Sequence, residues 1–234
     1  MTACPQFDHW IVLPHLRVQN ANAVSSPLTH GFPAMTAFLG LTWALQRKLA
    51  RDGLDITISA VGVVCHDHEE QVSDDLFVKT LRLTRNPVDK SGETAAIVER
   101  GRIHLDLSLV LAISSEKWNR APDSRDSDVE HIATCVSGMR IAGGTIHPPI
   151  QPGPSRHRPW RADFTGDADD RESAFRRARN RLLPGYTLVL REDRLDERHA
   201  EIDPDRAAVT RLDAWLSLSS INWHWQGDDQ EQPG

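Results

Sequence analysis

The hydrophobic pattern begins with Trp10, Ile11, Val12 and Leu13, a bulky β-favouring run that predicts a strand. The pattern then breaks. Gln19, Asn20 and Asn22 place amides at close spacing, Ser25 and Ser26 add hydroxyls, and Pro27, Gly31 and Pro33 punctuate the exit. Such groups donate and accept hydrogen bonds, so they suit base edges and sugar-phosphate oxygens. They also cap and turn a chain between a strand and a helix. Residues 34–49 predict an amphipathic helix, with Phe38, Leu41, Leu45 and Leu49 at helical spacing, Pro33 before it and Gly53 after it. Residues 56–65 predict a mostly buried second strand. The polar run after it, with His66, His68, Glu69 and Glu70, reads as a surface strand end. Two alternate histidines can share a metal ion, but no third and fourth ligand follows at motif spacing, so no metal site is assigned.

Residues 76–84 alternate in the strand manner, residues 85–92 are turn-rich, and residues 93–100 return. This predicts a β-hairpin arm inserted between the second and third core strands, with Lys79, Arg82, Arg85 and Lys90 along or near it. Residues 102–113 have clear period two. Ile103, Leu105, Leu107, Leu109 and Leu111 share one face, and His104 and Asp106 share the other as a structural polar pair. Residues 118–128 read as a loop. A helix follows from a cap at Asp126 or Ser127 to Met139, its core face being Val129, Ile132, Ala133 and Val136. It ends in a segment with Arg140 and the pair Gly143-Gly144. Such a pair can turn the chain or let backbone amides approach a phosphate. No GKS or GKT follows, which argues against nucleotide hydrolysis. Residues 148–166 read as an irregular loop in which Trp160 either stacks on a base or anchors the loop. Residues 171–183 predict a helix carrying Arg171, Arg176, Arg177, Arg179 and Arg181, the densest positive charge in the chain. Residues 184–192 predict the last core strand. Residues 205–218 predict a further helix, Trp223 and Trp225 form either a partner surface or a core closure, and the tail is disordered by composition.

At 234 residues the chain is long enough for a sizeable core, and its apolar runs are too short to span a membrane. The N-terminus lacks the basic and apolar regions of a signal peptide, so a cytoplasmic location is expected. Cys4, Cys65 and Cys135 are odd in number and widely spaced, which argues against a disulfide framework or a CxxC metal motif. A net charge of −6 excludes a globally basic nucleic-acid coat. Mapped locally, the acids gather at 67–70, 123–130, 167–170 and the tail, and the arginines at 156–161 and 171–181. A protein can therefore be acidic overall and still offer one face to RNA.

Five stretches carry a family likeness: LPHLRVQNANAVSSPLTHGFP (13–33) with the helix AFLGLTWALQRKL after it, VGVVCHDHEEQVS (61–73), LTRNP with TAAIVERGRIHLDLSLVLAI (83–113), SGMRIAGGTIHP (137–148) and RLLPGYTLVLRE (181–192). In this order they resemble the second-subunit family of the type I-F CRISPR surveillance complex, the Cas-five-like RAMP proteins. The resemblance implies an α+β, ferredoxin-like or RRM-like βαββαβ fold with an inserted hairpin thumb and a basic helical insertion. It implies a RAMP domain over residues 1–192, with the thumb at about 66–101, and a C-terminal helical segment and tail over 193–234 that looks shortened against the family. The implied role is a non-catalytic scaffold, without cofactor or metal, that binds the 5′ handle of CRISPR RNA. Its partners would be the large subunit, the backbone subunits and, through the assembled complex, target DNA; no membrane is involved. The expected RNA-contacting residues are Gln19, Asn20, Asn22, Ser25, Ser26, Arg82, Arg85, Arg140, Gly143, Gly144, Arg176 and Arg177. Two rival readings are a RAMP-fold endoribonuclease using His104, His66 or Tyr186, and a protein-docking module that binds no RNA.

Overall fold

The first hydrophobic run opens a strand far longer than the run itself: β1 spans His9–Asn22. The computed structural model describes residues 5–26, 29–75, 78–81, 88, 90–93, 101–147, 157–189, 191–202 and 209–219. They divide into two units, Met1–Leu188 and Val189–Gly234. In the first unit the elements after β1 are β2 (Val24–Ser26), β3 (Thr29–His30), α1 (Met35–Arg51), β4 (Thr57–Glu70), β5 (Val72–Asp75), β6 (Val78–Leu81) and β7 (Arg102–Ser114). Then come α2 (Glu116–Arg120), α3 (Arg125–Ser137), β8 (Arg140–Ile141), β9 (Gly144–His147), β10 (Trp160–Asp163) and α4 (Ala168–Arg181). The second unit contains α5 (Glu192–Glu201) and α6 (Arg211–Ser219).

The main sheet is antiparallel throughout, in the order β4-β7-β1-β9-β8, and β10 also pairs with β1. The chain is thus an α+β protein. On one face Ile11, Leu13 and Val18 of β1 and Ile103, Leu105, Leu107, Leu109, Leu111 and Ile113 of β7 meet the apolar sides of α1 and α3. Phe38, Leu41, Leu45 and Leu49 of α1 and Val129, Ile132 and Val136 of α3 complete this core. Among the described residues the opposite face is covered over one half only, where Val12, Val110 and Leu182 gather Trp10, Val64 and Trp160. Trp160 is the anchor of its segment, with the Arg181 guanidinium 4.4 Å above its ring.

Strand β1 keeps its inward face over this length by means of two bulges. Its pairing with β7 slips by one residue between Leu13 and Leu16 and again between Val18 and Ala21. His15 (φ 53°) and Asn20 (φ 57°) lie in those two irregularities, both left-handed. Each extra residue would flip the following side chains to the wrong face if it were simply extended. The left-handed residue absorbs it, and Leu16, Val18, Ala21 and Ala23 all continue toward the helical core.

Several expected elements are redrawn. The fourth core strand is β9, with β10 beside it, and the described residues of 184–192 contribute one bridge, Tyr186 to Cys65, while Leu188 and Val189 are exposed. The physical reason is the free edge of β1, which β9 and β10 fill at its two ends. The expected loop at 118–128 contains α2, capped by the Ser115 hydroxyl on the Trp118 amide (3.4 Å), and a 3-10 turn at Pro122–Ser124. Trp118 is fully buried and donates from its indole to Asp128 (2.9 Å), which a hydropathy reading of that polar stretch misses. After β4, Val72–Asp75 pairs with Val78–Leu81, and most of the residues of the expected arm, 82–87 and 94–100 among them, lie outside the described residues. His66 to Glu70 continue β4 and are its mostly exposed polar end, as the run after the second strand suggested. Helix α5 takes only Glu192 from the expected last strand and otherwise lies in the expected C-terminal helical segment, and α6 begins at Arg211 rather than 205. Arg82, Arg85, Trp223 and Trp225 lie outside the described residues. No helix among the described residues is long and apolar enough to cross a membrane.

One polar knot ties the start of β1 to β10 and α3. Fully buried His9 donates from Nδ1 to Asp163 (2.7 Å), and Arg161 and Arg125 also reach that carboxylate. Burial works to raise the Asp163 carboxyl, but the hydrogen bonds from His9 and Arg161 outweigh it and hold the group below the ordinary carboxylate range. A carboxylate with a depressed folded pKa contributes stability above its unfolded value of about 3.9 and loses it as pH falls through the folded value. Asp163→Asn is therefore expected to cost about 1–3 kcal/mol at neutral pH, with the difference from the parent chain shrinking in acid below about pH 4. Urea melts of both proteins from pH 7 down to pH 3 measure this, and a difference independent of pH would contradict it.

Candidate nucleic-acid interface

Where α4 and Trp160 leave the second face of the sheet uncovered, the register of the strands lines up polar side chains. Residues directly opposite each other in an antiparallel pair share a face. Asp67 of β4 stands opposite Asp106 of β7, Asp106 opposite Arg17 of β1, and Arg17 opposite His147 of β9. The next rung pairs Glu69 with His104 on one side, and Gln19 with Thr145 and then Arg140 on the other. Together these rungs floor an open groove of about 610 Å³ lined by Arg17, Gln19, His68, His104, Asp106 and His147, with Asp67 and Glu69 at its β4 side.

Each bulge of β1 serves this groove. At the second, the Asn20 backbone N–H donates to His104 Nδ1 (3.1 Å), and the Arg102 guanidinium donates to the Asn20 carbonyl (3.3 Å). In a neutral His104 the proton then sits on Nε2, so the ring presents a donor. At the first, the left-handed His15 donates from Nδ1 to Asp106 (3.0 Å), and its own backbone N–H donates to the Ser108 hydroxyl (3.2 Å). The expected His104–Asp106 pair therefore does not form: each residue takes its partner from β1, because the bulges push backbone and imidazole groups of that strand across the face. Three rings stack at the border of the groove, His15 with His66 (4.2 Å between centroids) and His15 with His157 (4.0 Å). His66 donates from Nδ1 to the Pro184 carbonyl and accepts from Ser108 at Nε2, both at 2.7 Å. Both of its nitrogens are thus spent on structure. Tyr186 is 81% exposed and tied to β4 through its backbone only. The Cys65 thiol is pushed up by burial first and then by Asp67 and Asp106, so it stays a neutral core thiol.

The expected RNA-contacting residues divide into three groups. Gln19, Asn20, Arg140, Gly143 and Gly144 come together at one end of the groove. Ala142 and Gly143, both at positive φ, form the two-residue turn that closes β8 onto β9, and Arg140 folds over it to the Gly143 carbonyl (3.3 Å). Gly144 is buried against β1, where a Cβ would meet the Ala21 nitrogen at 2.8 Å. Asn22, Ser25 and Ser26 stand beside this group but hold local structure. Asn22 donates to the Val24 carbonyl (3.0 Å) and accepts from the Val24 amide (3.1 Å). Both serine hydroxyls lie 2.7 Å from Thr29 Oγ1. Arg176 and Arg177 form the third group. They are exposed on α4, where Arg176 pairs with Glu172 (3.3 Å) and Arg177 donates to the Ser173 hydroxyl (2.7 Å). Their neighbour Phe175 packs on Trp10, and the strand distance from Trp10 to Gln19 is roughly 25–30 Å. The arginine helix and the amide cluster therefore occupy opposite ends of β1.

Sequence reasoning missed His147 and Arg17 as members of one face. The signal was present only as alternation within three strands, and the register that aligns them is not local. Two comparisons complete the picture. Residues 11–233 match the family described as CRISPR-associated protein (Cas_Csy2). The chain is also 38% identical over 227 residues to the CRISPR-associated protein Csy2 of Pseudomonas aeruginosa (strain UCBPP-PA14), covering 95% of this chain and 68% of that protein.

The close contact at Gly144 yields a direct expectation. Gly144→Ala forces β9 away from β1 and is expected to cost about 1–3 kcal/mol. Gly138→Ala, whose Cβ would find nothing nearer than 3.7 Å, is expected to be close to neutral. Thermal unfolding of the two variants distinguishes them, and equal melting temperatures would rule out the tight β1–β9 contact.

Proposed function

The chain belongs to the Csy2 family of type I-F CRISPR-associated proteins, and from that premise we propose that it is the non-catalytic subunit that grips the 5′ handle of CRISPR RNA and docks the large subunit of the surveillance complex. The observation that carries this reading is the groove on the half of the sheet left open among the described residues, where Gln19 and Arg140, far apart in sequence, meet across β1, β9 and β8 beside His104 and His147. The order of the four core strands (second, third, first, fourth) with two helices on one face supports a ferredoxin-like, RRM-like RAMP fold. Folds of this class bind single-stranded RNA on the sheet face away from the helices, by stacking splayed bases on rings and hydrogen-bonding their edges. Here the rings on offer are imidazoles, and the edge-reading groups are the Gln19 amide, the Arg17 and Arg140 guanidiniums and the Nε2–H of His104.

The mixed charge of the groove fits recognition of bases more than of phosphate. Asp67, Glu69 and Asp106 face Arg17, and such carboxylates repel a polyanion while accepting from base amino groups. Phosphate contacts would come from the rim, where Arg140 stands, and from Arg82 and Arg85 of the expected thumb, which lie outside the described residues. The arginines of α4 lie at the other end of β1, where they suit the continuing RNA or an acidic partner surface. In this reading the large subunit and the backbone subunits complete the complex in the cytoplasm, target DNA is read by guide pairing, and neither cofactor nor membrane is needed.

Binding of labelled handle RNA to the chain co-purified with its large subunit tests the proposal. Gln19→Ala with Arg140→Ala is expected to lower handle affinity by about tenfold or more and to reduce the salt slope by about one. Arg176→Ala with Arg177→Ala is expected to weaken binding of handle and non-handle RNA alike. Partner recovery that ignores the handle in the parent chain would leave a docking module instead. Cleavage of repeat RNA that is lost in His104→Ala would favour an endoribonuclease.

A further inference from the structure

On the helical side of the sheet, away from the groove, three different donor atoms converge. Asp52 ends α1, and its carboxylate Oδ2 lies 3.1 Å from His131 Nε2 and 3.7 Å from Cys135 Sγ. The third side, His131 Nε2 to Cys135 Sγ, measures 3.6 Å. His131 and Cys135 are four apart on α3 and so share one face of that helix. Among the described residues this is the set of three histidine, cysteine or acidic side chains whose ligand atoms lie within metal-binding reach of one another.

A hydrogen-bonded Cys-His-Asp triad does not explain the geometry. A catalytic triad uses the two ring nitrogens separately, one toward the nucleophile and one toward the carboxylate. Here the thiol and the carboxylate both address the same nitrogen, Nε2, and the same carboxylate oxygen addresses both partners. The three atoms form a closed triangle. Tetrahedral zinc with bond lengths of about 2.3 Å to sulfur and about 2.0–2.1 Å to nitrogen and oxygen requires edges of about 3.3 Å between N and O and about 3.5–3.6 Å from S to each. The observed edges of 3.1, 3.7 and 3.6 Å match that triangle closely.

We propose that Asp52, His131 and Cys135 bind a zinc-class divalent cation with its fourth position open to solvent. The donor set of one carboxylate, one imidazole and one thiolate suits a borderline metal better than calcium or magnesium, which prefer all-oxygen shells, and better than copper(I), which prefers sulfur alone. Binding expels the thiol proton to solvent, and the thiolate and carboxylate then balance the two charges of the ion. Cys135 is 3% exposed, whereas Asp52 and His131 are 37% and 42% exposed, so the sulfur closes the inner corner and the outer side is open. The ion would fasten the end of α1 to the middle of α3, the two helices that roof the main core. This inference is independent of the RNA reading.

The test uses the untagged full chain, stripped with chelator and titrated with cobalt(II). A single equivalent is expected to give a thiolate charge-transfer band in the near ultraviolet and visible d–d bands of tetrahedral intensity, both displaced by zinc. The charge-transfer band is expected to vanish in Cys135→Ser and to persist in Cys65→Ser and Cys4→Ser. His131→Ala and Asp52→Asn, at partly exposed positions that the fold does not depend on, are expected to weaken zinc by about 100-fold. Zinc is expected to raise the melting temperature of the parent chain and to leave that of His131→Ala unchanged. No charge-transfer band, a band that survives Cys135→Ser, or unaltered zinc affinity in His131→Ala would each overturn the proposal.

Discussion

Strand β1 is hydrogen-bonded along both edges, and this double pairing is the constraint on which the other features rest. One edge meets β7 from His9 to Asn22, and the other is shared between β10 at its start and β9 near its end. A strand paired on both sides cannot shift its register without breaking two ladders at once. The two bulges hold its apolar residues toward the helices in spite of two extra residues, and their left-handed His15 and Asn20 are fixed by the pairing that surrounds them. The same bulges turn backbone and imidazole groups of β1 onto the polar face. Core and groove are therefore set by one device.

The polar face is divided by what covers it. At the β10 end, Trp10, Phe164 and Phe175 pack together, and Trp160 sits beneath Arg181, so that half is an ordinary small core. At the β9 end the residues that face one another across β4, β7, β1 and β9 on this side are polar, and they floor a groove of histidines, amides and mixed charge. Its balanced charge suits reading of base edges, where donors and acceptors are both needed, and leaves bulk attraction for phosphate to exposed arginines elsewhere. That division also makes an acidic chain compatible with the proposed RNA-binding role.

The helical layer has its own logic. Helices α1 and α3 pack on the same face through interleaved leucine, isoleucine and valine side chains. The ends of such a pair are where apolar contact runs out. The cluster of Asp52, His131 and Cys135 stands at one such end, where a cation can add directional bonds that hydrophobic packing does not supply.

Periodicity alone determined much of this protein. The helical spacing of Phe38, Leu41, Leu45 and Leu49 and the period-two run from Ile103 to Leu111 fold as the pattern requires, because those elements bury a face on the main core and so write it into their sequence; the apolar run at 56–65 is a strand as expected, but at the sheet edge only Ile56, Val63 and Cys65 of it are buried. The family likeness was legible for the same reason as any long match, through many residues in one order. Only the tertiary structure decided the fourth strand. Gly144 to His147 is too short and too glycine-rich to announce itself, and it is a strand because β1 has a free edge with room for a backbone that carries no side chain at Gly144. The groove was likewise invisible, since Arg17, His104 and His147 become neighbours through register across three strands. Arg176 and Arg177, prominent in sequence, stand at the far end of β1 from Gln19 because α4 is anchored by Phe175 on Trp10. Local chemistry fixed which segments could be buried; long-range pairing fixed which polar residues would meet.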